Sequence, residues 1–108
     1  MASNTMVFRA ISDPTRRAIL DSLRSQERPA GDIAALFAVS RPAISKHLRV
    51  LRSAGLVQER RAAQSRIYSL VPEPLREVEQ WLDRYRDFWG ARHPGLKRYV
   101  ESKEQRSP

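Results

Sequence analysis

Apolar residues along most of this chain recur at steps of three and four, the spacing that puts them on one face of a helix. Met6 to Ile11 reads as a short apolar helix that ends at Ser12-Asp13-Pro14. Asp13 suits the cap of the next helix, and Pro14 its first position, where the missing N–H would be unpaired in any case. That helix runs to about Ser25, with Ala18, Ile19 and Leu23 inward and Arg16, Arg17 and Arg24 outward. Pro29-Ala30-Gly31-Asp32 punctuates the chain and opens a short helix carrying Ile33, Ala34, Leu36 and Phe37. A tight turn, Ala38-Val39-Ser40, leads to a longer helix from Arg41 to about Ala54, whose Ile44, Leu48 and Leu51 recur at i, i+4 and i+7 and face the core. Gly55 ends it, because glycine accepts the left-handed conformation that terminates helices.

The pattern then changes. Val57 to Ala62 and Arg66 to Val71 flank Ala63-Gln64-Ser65, and Ile67, Tyr68, Leu70 and Val71 favour strand, so a hairpin with a basic tip is expected. Pro72-Glu73-Pro74 starts a last, long helix over about 74–93. There Leu75, Val78, Leu82, Tyr85 and Trp89 alternate steps of three and four, and Trp81 and Phe88 widen the stripe. Leu96 to Ser102 is expected to add a turn or two, and residues 103–108 to fray as a disordered tail. The elements predict a mainly α fold with a small β-hairpin, one domain over about 1–102 in a chain of 108 residues.

Charge sharpens this reading. Lys and Arg number 20 against 12 Asp and Glu, a net charge of +8 that favours a polyanionic partner. The segment from Arg41 to Tyr68 holds seven of the basic residues and a single acid, Glu59, so six of the eight net charges lie there. The chain has no cysteine, which excludes disulfides, thiolate metal sites and thiol redox sensing. Its apolar runs are far too short to span a bilayer and its N-terminus has no leader pattern, so a cytoplasmic protein is expected.

A short helix, a tight turn and a longer helix with polar residues at its outward start is the arrangement that lays a recognition helix in the major groove of DNA. The span 31–54 fits it, with the hairpin over about 57–71 as a wing. With Ile44, Leu48 and Leu51 turned inward, Arg41, Pro42, Ser45, Lys46 and Arg49 are left outside, behind a capping Ser40. Arg41 and Ser45, one turn apart at the start of the helix, are the candidates for reading bases, and Lys46 and Arg49 for gripping phosphate. His47 lies beside an inward-facing leucine, where it either touches DNA, caps a backbone group or packs at the helix edge. Arg60, Arg61, Gln64 and Arg66 surround the hairpin tip, where a wing meets phosphates or the minor groove.

Two blocks carry a family resemblance: Asp13-Pro14-Thr15-Arg16-Arg17-Ala18-Ile19-Leu20, and Val39 through Leu51 followed by Ala54-Gly55-Leu56-Val57. With Arg66-Ile67-Tyr68-Ser69-Leu70 they make residues 6–92 resemble the ArsR family of winged helix-turn-helix repressors. The resemblance implies a homodimer joined by its first and last helices, binding double-stranded DNA at an inverted repeat, with the positions of Arg41, Pro42, Ser45 and Lys46 facing the DNA. On that basis Val7, Phe8 and Ile11, together with Leu75, Val78, Trp81, Leu82, Tyr85, Phe88 and Trp89, are assigned to the interface between subunits. Two departures stand out. Ala38 replaces a frequent turn glycine, which would cost ~1 kcal/mol if the position required positive φ. The helix that carries a cysteine pair in metal-sensing members reads Ala30-Gly31-Asp32-Ile33-Ala34-Ala35-Leu36, and the last helix offers only Asp83, Asp87 and a lone His93. No metal and no cofactor are expected, and the sequence names no effector.

Other functions fare worse. No phosphate-cradling glycine loop, His-Glu-x-x-His pattern or nucleophile with a positioned base supports an enzyme. Membrane-surface binding needs basic and apolar groups on one exposed helix, whereas here they occupy separate segments. The alternative that stays open is a protein-interaction winged helix with only non-specific affinity for DNA.

Overall fold

The computed structural model describes residues 2–92, with side chains for 6–90. The expectations for His93 and for residues 94–108 lie outside the described residues. The chain divides into two units, Met1–Val78 and Glu79–Pro108.

The first unit is built of α1 (Ala2–Ala10), α2 (Pro14–Ser22), β1 (Arg28–Pro29), α3 (Ala30–Ala35), α4 (Arg41–Ser53), β2 (Val57–Ala62) and β3 (Ser65–Leu70). A 3-10 turn at Glu73–Leu75 then leads into α5 (Arg76–Asp83). The caps lie where the sequence puts them. The Asp13 carboxylate accepts from the backbone N–H of Arg16 at 3.0 Å, and Ser40 Oγ accepts from that of Ala43 at 3.2 Å. At the far end of α4, Gly55 takes φ +76°. Its N–H bonds the Arg52 carbonyl and that of Leu56 the Leu51 carbonyl, which closes the helix in a Schellman motif.

Four helices and the sheet share one core. Ala10 of α1, Ile19 and Leu20 of α2 and the capping Leu23 meet Ile33 of α3, Ile44, Leu48 and Leu51 of α4, Leu56 ahead of the hairpin, and Val57 and Tyr68 within it. Ile19, Ile33, Leu51 and Leu56 have no exposed surface, and each such side chain stabilises the fold by roughly 1.5–3 kcal/mol. Ile44, Leu48 and Leu51 face inward as the periodicity predicts.

Several details depart from the sequence reading. α1 begins at Ala2 rather than Met6, α2 stops at Ser22 rather than near Ser25, and α3 starts at Ala30, directly after Pro29. A third strand, β1, lies at the edge of the sheet in the order β1-β3-β2, with Arg28 opposite Tyr68 and Pro29 opposite Ile67. An edge tolerates the missing proline N–H. The hairpin turn comprises Ala63 and Gln64 alone, since Ser65 already pairs with Ala62. Ala63 takes φ +57° there, the positive value a two-residue hairpin demands, without the usual glycine or asparagine. Among the described residues it is the one non-glycine with positive φ. Ala38 therefore carries no such strain.

The expected single helix over 74–93 is broken. α5 ends at Asp83 and a further helix, α6, spans Arg86–Arg92. At the break the N–H groups of Arg84 and Tyr85 bond back three residues, to Trp81 and Leu82, which tightens the turn. No proline or glycine marks the place; the Asp83–Arg86 ion pair, 2.7 Å, bridges it.

The Asp13 cap makes stability pH-dependent. The Arg16 N–H first, then the positive groups of His47 and Arg16, hold its carboxyl below its ordinary value. The unfolded chain therefore binds the proton more tightly, so the stabilisation is complete above the unfolded-state value and is lost as pH falls through the folded one. Urea unfolding should show stability declining below about pH 4, with a shallower decline in Asp13→Asn. Equal slopes in the two proteins would remove the cap from the acid response.

Candidate nucleic-acid interface

α3, the turn at 36–40 and α4 form a helix-turn-helix, and α4 exposes Arg41, Pro42, Ser45, Lys46 and Arg49 along the side away from the core. Pro42 and the Ser40 cap sit in its first turn, so the start of the helix is rigid where Arg41 projects. Arg52 continues the exposed row one turn beyond Arg49; the sequence reading missed it as a functional candidate, although its i+3 spacing from Arg49 was the available signal.

His47 sits apart from that row. Its half-buried ring places Nδ1 3.2 Å from Arg16 Nη1 and 4.0 Å from Asp13 Oδ2. Arg16 is meanwhile fastened by Nε to the Ala10 carbonyl at 2.7 Å and by Nη2 to the Arg9 carbonyl at 3.0 Å. One side chain thus ties the end of α1, the start of α2 and the middle of α4 together. Of the roles left open for His47, the geometry supplies packing and a hydrogen bond at the helix edge.

The pleat sorts the hairpin's arginines. Arg61 stands opposite Arg66, and Glu59 opposite Tyr68, so with a period of two these four share one face while Arg60 points to the other. Arg60 forms an ion pair with Glu27, ahead of β1, which raises its pKa further. Gln64 is exposed at the turn. The Arg61–Arg66 pair sets like charges side by side, a destabilising arrangement.

On the shared face Glu59 is the centre of charge. Its Oε2 accepts from Tyr68 Oη at 2.6 Å and from Arg52 Nη1 at 3.1 Å, and lies 3.8 Å from Arg66 Nη1. The Tyr68 hydrogen bond, followed by the fields of Arg52, Arg66 and Arg61, lowers the Glu59 pKa. Burial and the neighbouring carboxylate raise that of Tyr68. Glu59, Tyr68, Arg52 and Arg66 line a crevice of about 180 Å³ between α4 and the hairpin, which Ser45 and Arg49 also border.

The apolar residues assigned to a subunit interface divide in two. Val7 corrects the assignment: it is wholly buried within its own chain and offers nothing to a second copy. Ile11 and Leu75 pack against the core, and Phe8, Val78 and Leu82 are half-buried. In the second unit Trp81, Tyr85, Phe88 and Trp89 are 44%, 42%, 52% and 37% exposed. Trp81 and Tyr85 meet edge to face with ring centres 5.4 Å apart, and Phe88 follows at 6.4 Å from Tyr85. Among the described residues no three His, Cys, Asp or Glu come together as a metal site, and no helix is long and apolar enough to cross a membrane.

A capped, outward-basic second helix beside a three-stranded hairpin sheet defines a winged helix-turn-helix of the DNA-binding class. Comparison with known proteins agrees. Residues 13–59 match the family described as bacterial regulatory protein, arsR family. The chain is 46% identical over 76 residues to the transcriptional repressor SdpR of Bacillus subtilis, covering 70% of this chain and 84% of that one. It is 39% identical over 95 residues to the HTH-type transcriptional regulator Rv2034 of Mycobacterium tuberculosis, covering 88% and 86%. A solved ArsR family transcriptional regulator superposes with TM-score 0.73 at 28% identity, covering 82% of this chain and 92% of the other. An ArsR-like regulator from Rhodococcus sp. RHA1 gives 0.68 at 33%, covering 91% and 92%. The chain belongs to the ArsR family and is a DNA-binding transcriptional regulator, not an enzyme.

Proposed function

We propose that this regulator is a repressor that acts in the cytoplasm as a homodimer on an inverted-repeat operator, each subunit laying α4 in the major groove of one half-site. The observation that carries the reading is the outward row on α4, with Arg41 and Ser45 at its rigid start and Lys46 and Arg49 behind them. Arg41 and Ser45 read base edges; Lys46, Arg49, Arg61, Gln64 and Arg66 hold the flanking backbone. The aromatic face of Trp81, Tyr85, Phe88 and Trp89 supports the dimer. Its four partly exposed rings offer roughly 400 Å², about half of the ~800 Å² that each partner of a stable complex buries.

The test is selection of random duplex DNA on the purified protein, then anisotropy titrations against the selected and a scrambled duplex. The expected winner is an inverted repeat with half-sites about one helical turn apart, bound at least ~10³-fold better than scrambled DNA. Weak, equal and salt-labile binding to both duplexes would overturn the reading in favour of a protein-interaction role. Arg41→Ala should weaken the selected duplex about 10–100-fold, the worth of one bidentate base contact, and leave scrambled DNA nearly unchanged. A uniform loss on both would make Arg41 a phosphate contact instead.

A further inference from the structure

The carboxylate of Glu59 is at odds with its surroundings. A surface built to meet phosphate gains from each arginine and loses from each acid, yet the one acid between Arg41 and Tyr68 sits in the crevice between recognition helix and wing. It is no solvated bystander. One oxygen, Oε2, takes the Tyr68 hydroxyl and the Arg52 guanidinium and has Arg66 3.8 Å away. Tyr68 is buried in the core and Glu59 stands directly opposite it across the ladder, so the carboxylate is anchored from the inside of the domain. Arg52 comes from α4 and Arg66 from β3, so the same oxygen joins the recognition helix to the wing.

We propose that Glu59 is a specificity-determining positioning residue, which restrains Arg52 and Arg66 from engaging DNA phosphates indiscriminately and braces the wing against the recognition helix. The proposal rests on the sequence-reading function proposed above. With Glu59 ionised, the two arginines and the carboxylate present one net positive charge in a fixed place. Without it, two unrestrained guanidiniums reach for any backbone, and the angle between α4 and the hairpin loses its cross-tie. Generic affinity rises and discrimination falls, because phosphate contacts carry no sequence information.

The experiment measures binding of the full chain to its selected duplex and to scrambled DNA over a range of salt, for wild type, Glu59→Gln and Tyr68→Phe. Glu59→Gln should bind scrambled DNA more tightly, with the slope of log K against log salt steeper by about 0.9 for each additional phosphate contact. Its preference for the selected duplex should drop by about tenfold or more, a cost of the size that one disturbed base contact carries. Tyr68→Phe keeps every charge but removes the anchor, so preference should fall with a smaller change of slope. Circular dichroism on each variant confirms the fold, and Tyr68→Phe stands as the test if Glu59→Gln does not fold. Unchanged preference and slope in the folded variants, with wild type still discriminating, would overturn the role of Glu59 alone. A wild type that does not discriminate would overturn the function on which it rests.

Discussion

Replacing Leu51 by alanine is expected to cost about 3 kcal/mol or more, the largest stability effect of any change on the recognition helix. Leu51 has no exposed surface and belongs to the core that α4 shares with α2, α3 and the hairpin. Truncation removes its transfer free energy and leaves a cavity that the surrounding core only partly collapses to fill, which places such changes at roughly 2–5 kcal/mol. In a domain of this size that corresponds to a fall in Tm of roughly 12–24 °C. Urea unfolding at fixed protein concentration measures it, with an unchanged m-value showing that stability rather than compactness moved. Arg49→Ala, two positions away on the exposed side, should shift stability by no more than about 0.5 kcal/mol while weakening DNA binding. A Leu51→Ala cost under ~1 kcal/mol would mean the core does not close around α4 as described.

Phe88→Glu is expected to have the largest effect on DNA binding while leaving the protomer folded. Phe88 is 52% exposed at one end of the run of rings from Trp81, so the charge costs a free protomer little. Within a two-fold interface formed by this face it would be desolvated twice over, once on each copy. Sedimentation at micromolar concentration should show a wild-type dimer and a mutant monomer. A dimer binds its second half-site at a high effective concentration, and losing that advantage should weaken binding to the inverted repeat by about 10²–10⁴-fold. Binding to a single half-site should barely change. A variant that remains dimeric would relocate the interface away from the aromatic face.

Where the chain spoke locally, its sequence was enough. The helix-turn-helix and hairpin, the Asp13 and Ser40 caps, the Gly55 stop and the inward set Ile44, Leu48 and Leu51 all depend on residues within a turn or two of one another. Helical spacing and capping chemistry are short-range, so they survive in the sequence intact. The same holds for the outward row from Arg41 to Arg49, the complement of the buried stripe.

What only the tertiary structure decided involves partners far apart along the chain. β1 has two residues and no period of its own; it exists because β3 pairs with it. The wing's arginines look equivalent in sequence, but pleat and pairing send Arg60 to Glu27, 33 positions away, and leave Arg61 and Arg66 on the face of Glu59. His47 found its place through Arg16, 31 positions away. Val7 looked like surplus apolar surface until its own chain covered it. In each case the deciding energy is an ion pair, a ladder bond or a buried contact formed between segments that meet only on folding, and no local pattern of residue types encodes which of several chemically equivalent partners is brought near.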